Sequence, residues 1–345
     1  MVEVTGTAQK AAWSERVLPP VELVRPGLWS IPVPMPDSPL RYVLVYAIEL
    51  PAGVAIVDAG WPTEESWQAL VAGLAHTGNA ITDVRAVLVT HAHADHHGLA
   101  GRVREASGAW IGMHPLDAAT LKRRHDLQAI VDLGQAWVRA RGGSADDVAD
   151  TVSDVEGLRT LHQLADPDRL IEDGDRPLGA GRGLRAVWTP GHTPGHLCFY
   201  DEDHEVLLSG DHVLPRISPN ISLHPGQGDD PLGDFLASLD VTGALEANEV
   251  LPAHEYRFAG LQDRVAQLHA HHAARLAEVE TILAAAPGAT TWEVATRLTW
   301  SRPWSALQGY IKQSAVGETL AHLVRLERLG RIARLPGAID RWQLA

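Results

Sequence analysis

The sequence predicts a layered α/β fold with a helical insertion and a small C-terminal module. β-branched, apolar segments alternate with helical patterns over most of the chain. Residues 115–170 are dominated by helical spacing, and residues 289–345 combine short helical patterns with a terminal hairpin pattern. Alternating strands and helices are typical of α/β layering around a buried sheet. We therefore expect an N-terminal extension (1–24), a catalytic domain (25–288) and a C-terminal domain (289–345).

The first third of the chain predicts a strand pair, a helix and two further strands. RYVLVYAIEL and GVAIVDAG are apolar segments separated by Pro51 and Gly53, which predicts a hairpin. TEESWQALVAGLAHTG has helical spacing, with Thr63 as N-cap and Gly78 as the stop. VRAVLV and GAWIGMH are predicted strands, and the first leads directly into a histidine-rich segment.

The middle of the chain predicts a helical insertion followed by a second strand-rich part. LQAIVDLGQAWVRARGG and SADDVADTVSDVEGLRTLHQLA are predicted helices of the insertion at about 115–170. Such a segment would be either a lid over the substrate or a packing element. In the part that follows, DEDH marks a hairpin turn, and EVLPAH is a predicted strand between helices near 231–245 and 260–285.

The C-terminal residues predict a winged-helix domain. Helices are expected near 291–298, 304–312 and 316–329, followed by a hairpin around Pro336 and Gly337. Short helices closed by a two-stranded wing are typical of this relative of the helix-turn-helix. This segment has eight Lys and Arg against four Asp and Glu, a charge of about +4, whereas the whole chain carries −14. The remaining residues therefore carry about −18, which argues against a surface that binds nucleic acid everywhere.

Composition excludes several classes of protein. A hydrophobic content of 45% with 21% charged residues is typical of globular proteins. No stretch approaches the roughly 18 apolar residues of a membrane helix, and the first residues lack the pattern of a secretory signal. Cys198 is the only cysteine, so no internal disulfide can form. We expect a soluble, cytoplasmic protein with no membrane partner.

A histidine-rich segment, VTHAHADHHG at residues 89–98, indicates a metal site. His91 and His93 are two positions apart on an extended segment, so their side chains point the same way and can bind one ion. Asp95 and His96 lie at the turn beyond, where they can face a second ion. Imidazole and carboxylate ligands without thiolate suit zinc, and also iron or manganese.

The remaining ligands are expected at later strand ends, because one ion needs three or four ligands. TPGHTPGH contains His192 and His196, LLSGDH contains Asp211, and VLPAHEY contains His254. Each motif follows an apolar, strand-like segment. In order after HAHADH, they predict a site assembled from several strand ends.

With these motifs the chain resembles the metallo-β-lactamase superfamily, and within it the glyoxalase-II-like hydrolases, over about residues 25–285. The resemblance implies an αββα sandwich with a binuclear site, holding two zinc ions, at one edge. It implies that His91, His93 and His196 hold one metal, that Asp95, His96 and His254 hold the other, and that Asp211 bridges the two.

The resemblance also implies that Asp58, in VDAG, orients a ligand histidine, although a turn residue after a strand is the alternative. Tyr256 could donate a hydrogen bond to a substrate oxygen, or it could simply pack. His192 is expected to be structural. The other histidines not expected to be ligands are His97, His212, His269, His271 and His272, the last three on a solvated helix face.

These assignments predict a binuclear metal-dependent hydrolase. Two metals would lower the pKa of a shared water toward 7, and the resulting hydroxide would attack a small-molecule ester, thioester or lactone. Asp95 would hold the water and pass its proton to the leaving group. In this superfamily the β-lactamases generally lack an aspartate equivalent to Asp211, and the flavodiiron enzymes carry glutamate in place of His93. Neither activity is expected, whereas a mononuclear iron sulfur dioxygenase remains a minor alternative.

The main alternative is a phosphodiesterase or endoribonuclease that uses the tail for nucleic acid. The tail resembles that of the lactamase-beta-like endoribonucleases. Arg325, Arg328, Arg331 and Arg334 would then contact phosphates, although a solvated helix face explains these arginines equally well. A module of this kind could instead shape the substrate pocket or form a homodimer interface. A small-molecule substrate is the favoured partner.

Overall fold

Two β-sheets packed face to face form the centre of the molecule. The computed structural model describes residues 2–122, 127–151, 164–179, 181–225 and 227–345. Helices cover the outer face of each sheet, and a third, smaller sheet lies near the C-terminus. The predicted α/β sandwich is therefore confirmed.

The first sheet has seven strands. In spatial order they are β2 (Glu22–Arg25), β3 (Leu28–Pro34), β4 (Tyr42–Leu50), β5 (Gly53–Val57), β6 (Val84–Leu88), β7 (Trp110–Met113) and β8 (Arg169–Leu170). β4 and β5 form the predicted antiparallel hairpin, whereas β5 and β6 run parallel.

The second sheet has six strands. In spatial order they are β1 (Glu3–Val4), β13 (Phe258–Ala259), β12 (Glu249–Pro252), β11 (Val206–Gly210), β10 (Leu197–Asp201) and β9 (Leu184–Trp188). β10 and β11 are the predicted hairpin, while β11 and β12 run parallel. The small sheet consists of β14 (Ala289–Thr290), β16 (Arg341–Leu344) and β15 (Ile332–Leu335).

Eleven α-helices occur among the described residues. They are α1 (Thr7–Glu15), α2 (Glu64–His76), α3 (Ala94–His97), α4 (Ala100–Ser107), α5 (Pro115–Leu121), α6 (Leu127–Ala140), α7 (Ala145–Thr151), α8 (Pro231–Gly243), α9 (Leu261–Ala285), α10 (Thr291–Ala295) and α11 (Gly309–Arg328). α2 starts as predicted, because the Thr63 hydroxyl accepts a hydrogen bond from the backbone N–H of Ser66. None of the described helices is long and apolar enough to cross a membrane.

The period-2 alternation of β4 explains how the layers are held together. Tyr42, Leu44 and Tyr46 face the second sheet and pack against side chains such as Phe199 and Leu251. The intervening residues Val43, Val45 and Ala47 face the opposite way and pack in the core that includes α2 and α4. Because both faces of β4 are buried, its sequence is a nearly continuous run of apolar residues.

The two parallel strand pairs place four functional candidates at one edge of the sandwich. Asp58 follows β5, His91 lies three residues after β6, Asp211 follows β11 and His254 follows β12. Since parallel strands end at the same edge of a sheet, their carboxyl ends bring these side chains together. The fold thus builds one site from segments that are distant in sequence.

Residues 1–24 contribute to both large sheets, because β1 pairs with β13 and β2 pairs with β3; their assignment as an N-terminal extension stays a prediction. One expectation about the C-terminal helices needs correction. The two helices expected at 304–312 and 316–329 are instead a 3-10 turn at Trp304–Ala306 and the single helix α11. Short strands such as β1 carry too few residues for a recognisable pattern, and no proline or cap interrupts α11.

The insertion at 115–170 is described only in part. Its described residues include the helices α5, α6 and α7 and the edge strand β8. Residues 152–163, which belong to the second helix expected there, lie outside the described residues.

The C-terminal segment shares one hydrophobic core with the helices on the outer face of the second sheet. Trp292, Leu320 and Trp342 belong to the same cluster as Phe235 of α8 and Leu276 of α9. The boundary at residue 288 and the winged-helix type of this segment remain predictions. The packing shows that the segment shares this core with α8 and α9.

Candidate metal centre

The histidine-rich segment after β6 forms one wall of the centre. His91 is fully buried, and its Nε2 lies 2.9 Å from Nδ1 of His93. Asp95 and His96 belong to the short helix α3, so they point into the site from one turn further along. The extended spacing of His91 and His93 therefore brings two imidazoles together, as the sequence predicts.

His192, rather than His196, completes the first group of candidate ligands. Nε2 of His192 lies 3.1 Å from Nδ1 of His93, and one ligand atom of each of His91, His93 and His192 lies within 4.8 Å of the others. His192, expected to be structural, therefore lies among the candidate ligand atoms.

His196 has both ring nitrogens engaged away from that group. Its Nδ1 is 2.8 Å from the Thr189 hydroxyl, and its Nε2 accepts a hydrogen bond of 3.1 Å from the backbone N–H of Asp211. The side chain is completely buried. The ring of His196 thus contacts Thr189 and the backbone of the segment that carries Asp211.

Asp211 stands between the two groups of candidate ligands. Its Oδ2 lies 3.6 Å from Nε2 of both His192 and His96, and its Oδ1 lies 3.3 Å from Nε2 of His254. Asp95 faces the same histidines, with Oδ2 3.3 Å from Nε2 of His254 and 3.5 Å from Nε2 of His96. Asp95, His96 and His254 form the second group whose ligand atoms lie within 4.8 Å of one another.

Several buried ligand atoms have no hydrogen-bond partner, and all of them face this centre. They are Nε2 of His96, Nε2 of His254 and Oδ1 of Asp211. Buried polar atoms are seldom left unsatisfied, since this costs about 1–3 kcal/mol each. The donor set and its unsatisfied atoms fit divalent metal ions, which would coordinate them directly.

The charges of the site also favour cations. Burial acts to raise the pKa of Asp95, but the positive charge of His96 and the hydrogen bond with His254 outweigh it and hold this pKa below its usual range. Burial lowers the pKa of His93 to about 3, which keeps its imidazole neutral. Burial acts to lower the pKa of His254, but the carboxylates of Asp211 and Asp95 outweigh it and raise this pKa to about 10. Metals bind neutral imidazoles and ionised carboxylates, so a metal in the second group would displace the protons that these carboxylates draw onto His96 and His254.

Asp58 orients His96, as its position after β5 predicts. Its Oδ2 lies 2.7 Å from Nδ1 of His96, while its Oδ1 accepts a hydrogen bond of 2.8 Å from the backbone N–H of Thr90. The Thr90 hydroxyl also donates to Oδ2 at 3.0 Å. With Nδ1 of His96 occupied in this way, Nε2 is the nitrogen presented to the centre.

Asp117 of α5 is a site residue that the sequence analysis missed. It is 1% exposed, and its Oδ2 accepts hydrogen bonds of 2.8 Å from the backbone N–H of Ala92 and from the Thr193 hydroxyl. Its Oδ1 accepts a further hydrogen bond of 2.7 Å from the backbone N–H of Gly195. One carboxylate therefore joins the segment of His91 and His93 to the segment of His192. No motif in PLDAATL signals this role.

Tyr256, expected either to donate a hydrogen bond to a substrate oxygen or to pack, is buried. Its side chain is 5% exposed and belongs to the core between the sheets, together with Trp13 and Tyr42. Its hydroxyl accepts a hydrogen bond of 3.2 Å from Nζ of Lys10 on α1. These contacts favour the second expectation, that Tyr256 packs in the core.

Three of the histidines not expected to be ligands, His212, His269 and His272, have polar partners outside the metal centre. Nε2 of His212 is 3.1 Å from the Thr242 hydroxyl, and His269 pairs with Asp240. His272 does not lie on a solvated face as expected: it is 1% exposed, and its Nδ1 is 3.1 Å from Nε2 of His322. α9 turns that side toward α11, which the isolated helix pattern could not show.

Comparison with known proteins identifies similar chains. The sequence profile described as "Metallo-beta-lactamase superfamily" matches residues 38–254. A solved structure of a metallo-beta-lactamase family protein from Thermus thermophilus is 32% identical, covers 94% of this chain and 100% of its own, and superposes with a TM-score of 0.80.

Two curated relatives match shorter parts of the chain. The lactamase-like protein vrtG of Penicillium aethiopicum is 32% identical over 166 residues, 47% of this chain and 50% of its own length. The acyl-coenzyme A thioesterase MBLAC2 of Gallus gallus is 30% identical over 129 residues, 36% of this chain and 40% of its own length. The chain thus spans half or less of the length of these two relatives.

Proposed function

We propose that this chain, which belongs to the metallo-beta-lactamase superfamily, is a binuclear metallohydrolase that cleaves small thioesters and related esters. The observation that carries the proposal is Asp211. Its Oδ2 lies 3.6 Å from Nε2 of His192 in the first group and of His96 in the second, and its Oδ1 lies 3.3 Å from Nε2 of His254 in the second. A single carboxylate between two sets of imidazoles is an arrangement suited to a pair of ions rather than to one.

We assign the ligands from this geometry. The first ion would be held by His91, His93 and His192, the second by Asp95, His96 and His254, and Asp211 would lie between them. Nitrogen and oxygen donors without thiolate suit zinc, and iron or manganese would also be accepted.

The chemistry follows from the metals and from the carboxylates around them. When bound, such a pair of ions supplies Lewis acidity and lowers the pKa of water at the site. Asp95 would orient the attacking water and then carry its proton to the leaving group. Asp58 keeps His96 in one tautomer, and Asp117 keeps the two ligand-bearing segments in register.

A thioester is the favoured substrate class because of the relatives. MBLAC2 is described as an acyl-coenzyme A thioesterase, and a relative from Emericella nidulans, pkgB, is described as a thioesterase. Hydrolysis of a thioester, an ester or a lactone requires the same attack on a carbonyl carbon, so one site can serve all three.

The nucleic-acid alternative loses its main support. The four arginines that would contact phosphates each lie in an ion pair with an acid of this chain: Arg325 with Asp230, Arg328 with Asp229, Arg331 with Glu280, and Arg334 with Glu327 and Asp340. A phosphate would have to displace these carboxylates, which reduces the gain from each contact.

The test is a hydrolysis panel on the zinc-reconstituted chain. The panel contains acyl thioesters, lactones, bis(p-nitrophenyl) phosphate and a fluorescent single-stranded RNA. We expect turnover of a thioester or lactone, lost in Asp211→Asn and unchanged in Asp240→Asn, an exposed aspartate elsewhere. Turnover of RNA or of the phosphodiester instead would overturn the assignment.

A further inference from the structure

An apolar slot adjoins the metal centre and is built mainly by the C-terminal segment. It has a volume of about 230 Å³ and is lined by Trp300, Leu307, Tyr310, Ile311, Ala315 and, from the catalytic part, Asn220. Ser301, Ser314 and Glu318 complete the wall. We call this space the α11 slot, because helix α11 supplies most of its lining.

Asn220 connects the α11 slot to the first group of ligands. Its backbone oxygen lies 2.8 Å from Nδ1 of His192, so the slot begins one residue away from a candidate ligand. The side chain of Asn220 accepts a hydrogen bond from Ser222, whose hydroxyl also contacts the backbone oxygen of Ser314 on α11. The slot wall, the loop and the ligand are therefore fixed to one another.

Tyr310 and Ile311 are lining residues of the slot that are also exposed to solvent. The side chain of Tyr310 is 59% exposed although it is large and apolar. The neighbouring Ile311 is also 50% exposed. Exposed apolar side chains next to a reactive centre are a common sign of a ligand surface.

The lining indicates which part of a substrate would fit. None of the lining residues is a lysine or an arginine, and the guanidinium of Arg275, which stacks on the Trp300 ring, is held by Glu278 and the backbone oxygen of Thr299. Burial raises the pKa of Glu318 to about 7, as expected for a carboxyl group in apolar, water-poor surroundings. Pockets for drug-sized ligands measure about 300–1,000 Å³, so this smaller slot suits a short apolar chain.

We propose that the α11 slot binds the acyl chain of the substrate, and that the C-terminal segment is therefore the specificity element of the enzyme. This inference rests on the proposed hydrolase function. The carbonyl carbon would lie at the metal centre, with the acyl chain extending past Tyr310 into the slot. The thiol part of the substrate would lie outside it.

The test varies acyl length and leaving group separately. Acetyl to octanoyl thioesters of N-acetylcysteamine form one series, and acetyl thioesters of thiols of increasing size form the other. The variant Ile311→Trp fills the slot at an exposed position, so folding is not at risk. The control is Leu329→Trp, which places the same side chain on a residue that is 48% exposed just beyond the other end of α11.

For Ile311→Trp we expect a loss of kcat/KM that grows with acyl length and reaches about tenfold at hexanoyl, mainly through KM. Leu329→Trp should have the same kcat/KM as the unchanged chain for every thioester of both series. A loss that follows the leaving thiol instead, or no dependence on either series, would overturn the proposal.

A binding measurement separates this inference from the hydrolase function. Calorimetric titration of the metal-free chain with hexanamide should show binding that Ile311→Trp abolishes and Leu329→Trp retains. If the metal-loaded enzyme cleaves no thioester but hexanamide binding is lost only in Ile311→Trp, the proposed hydrolase function is wrong and the assignment of the slot is supported. If hydrolysis occurs but neither variant alters binding or chain-length preference, the slot assignment is wrong.

Discussion

At the scale of the residue, Asp117 is a buried carboxylate on which the two ligand-bearing segments converge. It accepts three hydrogen bonds, two from backbone N–H groups and one from a hydroxyl. Gly195 lies so close that a Cβ there would approach the Asp117 backbone N to 2.5 Å. The residue acts on metal binding through the position of its neighbours.

Replacing this carboxylate should therefore weaken both the fold and the metal site. We expect Asp117→Ala to lower the free energy of unfolding by about 3 kcal/mol, because buried donors lose their acceptor. Zinc affinity should fall by roughly 10- to 100-fold, as for other groups that position ligands. Urea unfolding and competition with a chelator measure the two effects. Asp132→Ala, at an exposed aspartate of α6, is the control, and equal behaviour of both variants would contradict this role.

His192 and His196 show where sequence reasoning reached its limit. Both occur in TPGHTPGH, and no composition or spacing argument decides which ring turns toward the ions. Tertiary contacts distinguish the two rings. The Thr189 hydroxyl and the backbone N–H of Asp211 lie within hydrogen-bond distance of the ring of His196, whereas the ring of His192 lies against His93. By contrast, the period of an extended strand was enough to predict the pairing of His91 with His93.

The assignment of His192, rather than His196, as a metal ligand gives a second prediction. His192→Ala should reduce the zinc content from about two to about one ion per chain, because one ion loses a direct ligand. His196→Gln should retain most of the metal, since an amide can still accept from the backbone N–H of Asp211. Elemental analysis after gel filtration measures the zinc content of both variants. A larger loss of zinc in His196→Gln than in His192→Ala would restore His196 as the ligand.

At the scale of the element, α9 and α11 are joined by a buried pair of histidines. His272 and His322 contact each other at 3.1 Å, and Nδ1 of His322 bonds the backbone oxygen of Glu318. Burial lowers the pKa of His272 to about 2 and that of His322 to about 4. The neighbouring charge of Arg275 acts in the same direction, and His271 is a further titratable neighbour.

This pair should make the fold sensitive to acid. Both groups have a pKa near 6.5 when unfolded, so their contribution to stability is complete above that pH. It is lost as the pH falls from about 6.5 toward the lowered folded values, by up to about 1.4 kcal/mol per pH unit for each histidine. Unfolding free energies of the unchanged chain and of His322→Gln at pH 5 and pH 7.5 test this.

The variant should show a smaller pH dependence than the unchanged chain. His76→Gln, an exposed histidine at the end of α2, should leave the dependence as it is. The same slope in all three proteins would show that the buried pair is not the origin of the effect.

The elements that could be predicted are those whose local signals are strong. The β4–β5 hairpin and α2 have clear periodicity, punctuation and a cap, and the structure confirms them. β1 and β2 are short, and their pairing partners lie far away in sequence or across a tight turn. Such short strands form because they pair with a neighbouring strand of the sheet. A local sequence pattern does not reveal this pairing.

At the scale of the whole molecule, the C-terminal segment is held by a continuous core. Trp342 of β16 is fully buried, and its indole N–H donates to the Thr291 hydroxyl at 3.0 Å. The same cluster extends through α9 to α8. Removing the segment would expose this surface to water.

A single substitution tests this attachment. Trp342→Ala should cost about 3–5 kcal/mol of stability, as expected for the loss of a fully buried tryptophan. Leu344→Ala, two residues later on the same strand but 41% exposed, should cost well under half of that. Thermal unfolding followed by circular dichroism measures both. If Trp342→Ala left a second, unshifted transition, the segment would be a separate folding unit.

The measurement that tests the central claim most directly is the zinc-to-protein ratio of the reconstituted chain, determined together with thioester turnover. We predict about two zinc ions per chain, and loss of turnover in parallel with loss of the second ion. A fully active protein that holds only one ion, or an iron-dependent oxidation in place of hydrolysis, would contradict the account.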